Sequence, residues 1–269
     1  MNYLNKLGSN KRILYFFMMR QKIAIKNLFY SNAKNQHLFI LSPPFCGSTL
    51  LNEIISSSDN VSCNNNIGLR EGQHLPIVKD ILFTKDRWDT KKKINWQLIH
   101  SIWNRYWDKS KGVFLEKSPP NICRAKKIEN EFINARFICL VRNPYAQVEG
   151  KMRRYNTSAE EAAKLSIQYL KYQKENIEQL KNTLLISYED LAENTNNIKK
   201  TIITFLPELS DINTKLKFKA HNLRAEKNMA ITNLNPEKIA KIKKEDLLII
   251  NGVFEKEEKL LNYFNYQII

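Results

Sequence analysis

The sequence predicts an α/β protein in which one parallel sheet is covered by helices on both faces. Four short runs indicate strands: residues 37–41 and 136–141, which are apolar enough to be buried, and residues 113–115 and 183–187. Segments with apolar residues at helical spacing lie between these runs. Strands that alternate with helices favour a parallel sheet, and 269 residues can build a sizeable core. We expect one α/β domain over residues 37–269, preceded by a basic helical segment over residues 1–36.

The remaining elements follow in chain order. The sequence LLNEII after the first strand has helical spacing, whereas residues 61–72 are polar and are expected to form a loop. Further helices are predicted over residues 75–83, 96–107, 122–132 and 159–180. Another helix opens at Tyr188, and the tail from Pro236 is predicted to be helical in two pieces, broken near Asn251 and Gly252.

The N-terminal segment mixes an apolar stretch at residues 13–19 with cations. These cations are Lys11, Arg12, Arg20, Lys22 and Lys26. The apolar stretch is too short to span a bilayer, and no small-residue cleavage site follows it. Two interpretations stay open: a helix packed on the domain, or a basic amphipathic helix that rests on an anionic membrane through residues 11–30. The prediction is a cytoplasmic protein, with peripheral membrane association as the open alternative.

Composition restricts the class of ligand without choosing one. The formal net charge is +16, with 43 Lys and Arg against 27 Asp and Glu. Such an excess attracts nucleotides, nucleic acid, acidic glycans or anionic lipids, although part of it lies on solvated helix faces. No helix-turn-helix, zinc or RNA-recognition signature is present, so no specific nucleic-acid partner is expected.

Cysteine usage argues against a metal site and against a disulfide framework. The four cysteines are Cys46, Cys63, Cys123 and Cys139. They form no CxxC pair and have no histidine at metal-ligand spacing. A reducing compartment is therefore the default expectation, and no metal is expected.

Three motifs follow predicted strands, where ligands gather in parallel sheets. In SPPFCGSTLL, residues 42–51, Gly47 lets the backbone approach an anion at a helix N-terminus. Arg142 ends the strand at residues 136–141 and can clamp a phosphate with two hydrogen bonds. Lys117, in the sequence EKSP, can stabilise charge on a leaving group. Taken singly, each has an ordinary alternative: a helix cap, a surface ion pair, or a salt bridge with Glu116.

A nucleotide kinase is one alternative use of such a loop. The Walker A pattern needs a lysine directly before the hydroxyl residue, whereas Gly47 directly precedes Ser48 here. The loop therefore lacks the residue that usually handles a triphosphate.

Four segments in this order resemble the sulfotransferase superfamily, particularly its carbohydrate and tyrosylprotein branches. They are PFCGSTLL at residues 44–51, EKSP at 116–119, FICLVRNP at 137–144 and YEDL at 188–191. The resemblance covers about residues 38–206. It implies a P-loop-like nucleotide-binding fold that transfers a sulfuryl group from 3′-phosphoadenosine 5′-phosphosulfate (PAPS) to a hydroxyl acceptor.

The resemblance also implies roles for particular residues. The family's P-[KR]-S-G-T-T-L-L loop binds the 5′-phosphosulfate, and its place is taken here by Phe45, Cys46, Gly47, Ser48, Thr49 and Leu50. Arg142 matches the arginine that binds the 3′-phosphate, and Tyr188 matches a tyrosine near the adenine. Arg224 and Lys227 fall where related enzymes close a loop over the nucleotide.

Two positions depart from the family pattern. Phe45 stands where the loop normally carries Lys or Arg, and Gly150 stands where a serine normally follows the arginine by eight positions. Backbone amides of the loop can still bind the 5′-phosphate. Lys151, Arg153 or Arg154 can replace the lost serine contact.

Catalytic residues are also inferred from the resemblance. The two branches use a glutamate base downstream of the first loop, and Glu71 is the best positional match, with His74 as the alternative. Lys117 is the candidate for stabilising the bridging oxygen as the phosphosulfate bond breaks. These features favour a glycan or glycolipid acceptor. The alternatives are a catalytically impaired sulfotransferase-like protein that binds nucleotides or other anions, and a P-loop kinase.

Overall fold

A computed structural model describes residues 9–30, 35–215 and 231–269 and contains the predicted parallel sheet. The strands are β1 (Gln36–Leu41), β2 (Val61–Cys63), β3 (Val113–Glu116), β4 (Arg136–Val141) and β5 (Thr183–Ser187). They pair in the order β2-β3-β1-β4-β5, and every pairing is parallel. Because β1 lies between β3 and β4, the connection from β1 runs to β2 on one side of it, and the connection from β3 crosses to β4 on the other side. This arrangement makes a crevice beyond the carboxyl end of β1.

Helices cover both faces of this sheet, as predicted. In chain order they are α1 (Ser9–Asn27), α2 (Ser48–Ile55), α3 (Val78–Leu82), α4 (Trp96–Trp103), α5 (Ala125–Glu131), α6 (Pro144–Tyr155), α7 (Ala159–Gln179), α8 (Tyr188–Glu193), α9 (Thr195–Phe205), α10 (Asn235–Ile239), α11 (Lys244–Phe254) and α12 (Glu258–Tyr263). Short 3₁₀ turns lie at Gly72–His74, Pro119–Cys123, Pro207–Leu209 and Glu255–Glu257.

The two faces of β1 belong to two separate hydrophobic cores. Side chains of a strand alternate between faces. Phe39 and Leu41 therefore pack with residues of α4 and α5, while Leu38 and Ile40 pack with residues of α2 and α9. All four are at most 1% exposed. A strand that is buried on both faces reads as a continuous apolar run, which is why the sequence predicts it well.

One side chain of α7 joins the ends of the two central strands. The Gln173 amide donates hydrogen bonds to the carbonyl oxygens of Leu41, at 2.7 Å, and Leu140, at 2.9 Å. Gln173 is fully buried, so both carbonyl groups obtain partners that water cannot supply. The carboxyl ends of β1 and β4, which lead into the two candidate anion-binding motifs, are thereby fixed to each other.

Two sequence predictions are wrong in detail. Residues 61–72 do not form a loop throughout, because β2 (Val61–Cys63) pairs with β3; a strand of three residues has too little periodicity to be recognised. The break predicted near Asn251 and Gly252 is absent, because α11 continues to Phe254. The Asn251 side chain accepts a hydrogen bond from the Tyr145 hydroxyl at 2.5 Å, which holds this turn of the helix against α6.

Helix α1 packs on the domain through one edge. Phe16 is 1% exposed and contacts Tyr106 edge to face. Within the described part of the chain, no helix combines the length and the apolar character needed to cross a bilayer.

Candidate active site

The loop after β1 forms a bare helix N-terminus. Gly47 has φ of +89°, and a Cβ atom at this position would lie 2.5 Å from a Tyr188 ring carbon, so only glycine fits. Helix α2 begins at the next residue, and no side chain caps it. The first N–H groups of α2 are therefore available to an anion. Cys46 and Leu50 are buried in the core, so only their backbone atoms can contribute to this site.

Arg142 lies beside this loop as a buried cation with an unmet hydrogen-bond donor. Its Nη1 donates to the Phe45 carbonyl oxygen at 2.8 Å, and its Nε donates to Asn235 Oδ1 at 2.7 Å. The guanidinium lies 3.9 Å from the centre of the Tyr188 ring. The remaining nitrogen, Nη2, is buried without a partner among the described residues. Burial lowers the pKa of Arg142, yet a guanidinium stays charged at neutral pH. This geometry suits a second anion.

The residues that hold Arg142 in place were not found from the sequence. Asn235 and Glu189 are linked to each other by a hydrogen bond, and Glu189 also accepts one from the Asn143 backbone at 2.8 Å. Tyr266 donates to the other Glu189 oxygen at 3.2 Å. Asn235 lies 93 positions after Arg142, and no pattern in the sequence connects the two. Glu189 belongs to the YEDL motif, so the motif draws attention to this residue but does not indicate that it helps to hold Arg142.

Glu71 contacts both of the other candidate catalytic residues, Lys117 and His74, beyond the end of β3. Lys117 Nζ lies 3.4 Å from Glu71 Oε1, and His74 Nε2 lies 3.2 Å from Glu71 Oε2. Gln73 also donates to Glu71 Oε2, at 2.5 Å. Lys117 is 2% exposed and Glu71 5%, so water screens their interaction weakly. The structure thus places a carboxylate, an ammonium and an imidazole in one cluster.

Glu116 does not pair with Lys117 but holds the Glu71 segment against β3. It accepts hydrogen bonds from the Gly72 backbone at 2.9 Å, from Ser118 Oγ at 2.5 Å and from Asn121 Nδ2 at 2.6 Å. The salt bridge considered from the sequence is replaced by these neutral donors. The chain is close-packed here, since a Cβ atom on Gly72 would lie 2.7 Å from a Glu116 oxygen.

The environments of these two carboxyl groups move their pKa values apart. Burial raises the pKa of Glu116 to about 7, and its hydrogen bonds do not reverse this effect. Burial also raises the pKa of Glu71, but hydrogen bonds from His74 and Gln73 and the charge of Lys117 outweigh it and leave the pKa below its ordinary value. Glu71 is therefore the carboxylate that is ionised at neutral pH and able to accept a proton.

The two departures from the family pattern lie in direct contact. A Cβ atom on Gly150 would lie 3.0 Å from two ring carbons of Phe45. The Phe45 ring also contacts the Tyr155 ring, with 5.5 Å between centroids. Phe45 has φ of +68°, a conformation that is strained for a residue with a side chain. The phenyl ring therefore occupies space that a serine at position 150 would need.

Two of the three cations proposed to replace the lost serine, Lys151 and Arg153, contact other groups. Lys151 is 2% exposed, donates to Ser166 Oγ at 2.6 Å and lies 4.7 Å from the centre of the Tyr169 ring. Burial lowers the pKa of Lys151 to about 7. Arg153 pairs with Glu149 at 2.6 Å, and Arg154 is exposed.

Two further predicted residues are not placed by the structure. Arg224 and Lys227 lie outside the described residues. Within the described ranges, no group of three or more His, Cys, Asp or Glu residues could hold a metal ion.

A parallel sheet, a bare helix N-terminus after β1 and a buried arginine after β4 define an α/β protein with a P-loop-like fold. The profile of the sulfotransferase family matches residues 37–209, which is more than half of the chain. The chain belongs to the sulfotransferase family.

Solved structures support the same fold. Sulfotransferase STF9 from Mycobacterium avium matches with a TM-score of 0.54 at 12% identity, covering 96% of this chain and 83% of its own. The sulfotransferase domain of the Synechococcus PCC 7002 olefin synthase matches with a TM-score of 0.51 at 19% identity, covering 89% and 99%. The sulfotransferase domain from the curacin biosynthetic pathway has the same TM-score at 16% identity, covering 87% and 99%. No curated protein matches the sequence significantly.

The contact between Phe45 and Gly150 predicts an energetic coupling. Gly150→Ser should destabilise the protein by about 1–3 kcal/mol, because the added atoms force the Phe45 ring to move. In a Phe45→Lys background the same change should cost much less. Urea unfolding of the two single variants, the double variant and the parent measures the coupling energy.

Gly252→Ser is the matched control, because a Cβ atom there meets no atom within 4 Å. Its cost should be small and equal in both backgrounds. If Gly150→Ser lowers the free energy of unfolding equally with phenylalanine and with lysine at position 45, the two departures are independent.

Proposed function

We propose that the chain transfers a sulfuryl group from PAPS to a hydroxyl acceptor, and that this hydroxyl belongs to a glycan or a glycolipid. The observation that carries the proposal is the arrangement at one edge of the sheet. An uncapped helix N-terminus and the unmet Nη2 donor of Arg142 lie at the same edge of the sheet as the buried pair of Glu71 and Lys117. Two anion sites at one sheet edge with a base and a cation suit the transfer of a charged group.

The residues present fit the phosphate groups of PAPS. The backbone amides of Ser48, Thr49 and Leu50 would hold the 5′-phosphosulfate, and Arg142 would hold the 3′-phosphate with its remaining donor. The ring of Tyr188 supports both sites, because it contacts Gly47 and the Arg142 guanidinium. When bound, PAPS supplies the activated sulfuryl group and a nucleotide bisphosphate that departs.

The buried cluster would perform the proton transfer and the charge stabilisation. Glu71 accepts the proton of the acceptor hydroxyl, which raises the electron density on the attacking oxygen. His74 and Gln73 keep the carboxylate oriented through their contacts with Oε2. Lys117 Nζ donates toward the negative charge that develops on the departing phosphate. Because Phe45 supplies no cation, this part of the reaction depends on Lys117.

The acceptor is proposed from the surroundings of the base and from the motif. EKSP is typical of glycan sulfotransferases, and the Phe83 ring lies 4.4 Å from the His74 ring. Phe83 is 37% exposed, so its face can support the apolar side of a sugar ring beside Glu71. We place the reaction in the cytoplasm, since all four cysteines are free thiols as a reducing compartment requires.

Cofactor binding is the first test. The chain should bind 3′-phosphoadenosine 5′-phosphate, and Arg142→Gln should weaken this binding by about 10- to 100-fold through loss of charged hydrogen bonds. Arg136→Gln is the matched control, because Arg136 begins the same strand and donates to the Phe205 carbonyl oxygen at 2.7 Å. Isothermal titration measures both affinities.

Several outcomes would contradict this assignment. Equal affinity of the Arg142→Gln variant and the parent would remove Arg142 from the site. Binding of ATP with magnesium, without binding of the bisphosphate, would favour a kinase. Bisphosphate binding without transfer of labelled sulfuryl to glycans, lipid-linked sugars, tyrosine peptides or simple alcohols would favour an impaired, non-enzymatic binder.

Lys117→Ala should lower turnover by about 100-fold or more, as expected when a transition-state donor is removed. Stopped assays with labelled donor measure kcat and KM. Lys117→Arg should recover part of kcat, because it returns a cation to the same position. Since loss of Lys117 removes the ammonium partner of the buried Glu71 carboxylate, thermal unfolding must first show that the variant is folded. A folded Lys117→Ala variant with normal kcat would exclude the proposed role.

The pH dependence of turnover distinguishes Glu71 from His74 as the base. A protonated carboxyl group cannot accept a proton, so the rate rises with pH through the pKa of Glu71, which lies below its ordinary value. The profile should therefore be flat from about pH 5 to 7, whereas a histidine base typically gives a limb near pH 6.5. Glu71→Gln should abolish turnover, and an acid limb near neutrality that survives in this variant would assign the base to an imidazole.

A further inference from the structure

Helix α1 is fixed on the domain in one orientation. Phe16 is inserted into the core, and Asn27 exchanges hydrogen bonds with the segment before β3. Asn27 Nδ2 donates to the Trp107 carbonyl oxygen at 2.9 Å, and its Oδ1 accepts from the Lys109 backbone at 2.8 Å. The opposite face of α1 is therefore held outward rather than free to turn into the core.

That outward face carries exposed apolar side chains between basic ones. Residues spaced three or four apart share one face of a helix. Leu14, Met18 and Ile25 share the outward face and are between 57% and 64% exposed, and by the same spacing Lys11 and Lys22 lie on it as well. Phe17 is 51% exposed on its flank, and Leu28 and Phe29 beyond the helix are 79% and 81% exposed. Single exposed apolar side chains are common, but several on one short segment mark an interaction surface.

All the charges on α1 itself are positive. The sequence contains no Asp or Glu before Glu53. Helix α1 carries five cations (Lys11, Arg12, Arg20, Lys22 and Lys26), and one of them, Lys26, pairs with Asp108. A helix that exposes apolar side chains together with cations is complementary to an anionic lipid surface.

A basic cleft opens beside the same helix. It has a volume of about 380 Å³ and lies between α1 and the segment that follows α4. Its lining combines three cations with amide groups: Arg20, Arg105 and Lys109, with Gln21, Asn27 and Asn104. No carboxylate lines it. The three cations that border the cleft make an anionic headgroup favourable there, while the exposed apolar side chains of α1 can enter the acyl region.

We propose that α1 and this cleft form a docking surface for anionic phospholipid bilayers. The headgroup phosphate binds between Arg20, Arg105 and Lys109, and the side chains of Leu14, Phe17 and Met18 insert below the headgroups. In this proposal the helix is both packed on the domain and in contact with a membrane, because one edge of α1 packs on the domain and the opposite face meets lipid.

The docking surface and the candidate active site lie at opposite ends of the sheet. Asn27 and Lys109 adjoin the amino ends of β1 and β3, since Asn35 donates to the Lys111 carbonyl oxygen at 2.5 Å, just before those strands. Glu71 and Lys117 lie beyond the carboxyl ends. Docking therefore leaves the catalytic edge uncovered, and the proposal does not depend on the proposed reaction.

The test is vesicle co-sedimentation of the full chain. We expect binding to vesicles that contain phosphatidylglycerol, little binding to pure phosphatidylcholine, and loss of binding as salt is raised. The double variant Phe17→Glu, Met18→Glu should not bind, because it places two anions on the apolar face. Leu248→Glu, which changes a 74% exposed leucine on α11, is the matched control and should bind normally.

A second variant tests the cleft. Arg20→Gln with Arg105→Gln should weaken binding to the anionic vesicles by about 30-fold, since two cations near the surface are lost. Inorganic phosphate should not displace the vesicles if the lipid, rather than a free anion, is the ligand. Bisphosphate affinity, where it is present, should be unchanged in every variant.

Three results would overturn the proposal. The first is equal binding to neutral and anionic vesicles, and the second is equal loss of binding in the Leu248→Glu control. The third is a dimeric parent that becomes monomeric on Phe17→Glu, Met18→Glu without ever binding vesicles, which would make this face an interface between copies of the chain.

Discussion

The structure of the site depends on one buried guanidinium. Arg142 is 4% exposed, and among the described residues no carboxylate lies within ion-pair distance of it. Its neighbours are neutral oxygens of Phe45 and Asn235 and the ring of Tyr188. Burying a cation without a direct ion-pair partner is costly, and the Glu189 carboxylate reaches Arg142 only through Asn235, so the charge of the guanidinium is incompletely compensated in the folded chain. An anion that brings negative oxygens to Nη2 would add to that compensation.

This constraint also explains the strained loop. The Phe45 carbonyl oxygen reaches Arg142 with Phe45 in a left-handed conformation, and the ring is then directed onto Gly150. The loss of the family's cation and the loss of its serine are therefore one physical change, in which a ring replaces two polar groups. Read one position at a time, the sequence suggests two independent impairments. In the structure the two residues are complementary in shape.

Sequence reasoning recovered what local patterns encode. The strand at 136–141 was predicted with correct limits, because a buried parallel strand forms an unbroken apolar run. The strand at 183–187 was also predicted with correct limits, although it is an edge strand in which Leu185 is 42% exposed, because its three apolar residues lie between Thr183 and Ser187. Strand β2 was missed because three residues carry no period. The partners Asn235 and Glu189 could not be found, since side-chain contacts between distant segments depend on the assembled fold. The pairing of Glu71 with Lys117 was likewise outside any local pattern, although each residue was a candidate by itself.

Positively charged groups gather in two separate regions of the domain. Arg142 and the N-terminus of α2 serve the carboxyl edge of the sheet, while Arg20, Arg105 and Lys109 gather near the amino ends. These regions lie at opposite ends of strands that span about 15–20 Å, which exceeds the Debye length of roughly 8 Å at physiological ionic strength. An anion at one end therefore changes the affinity at the other end little. Such separation allows a domain to rest on an anionic surface while its nucleotide site stays available to a ligand from solution.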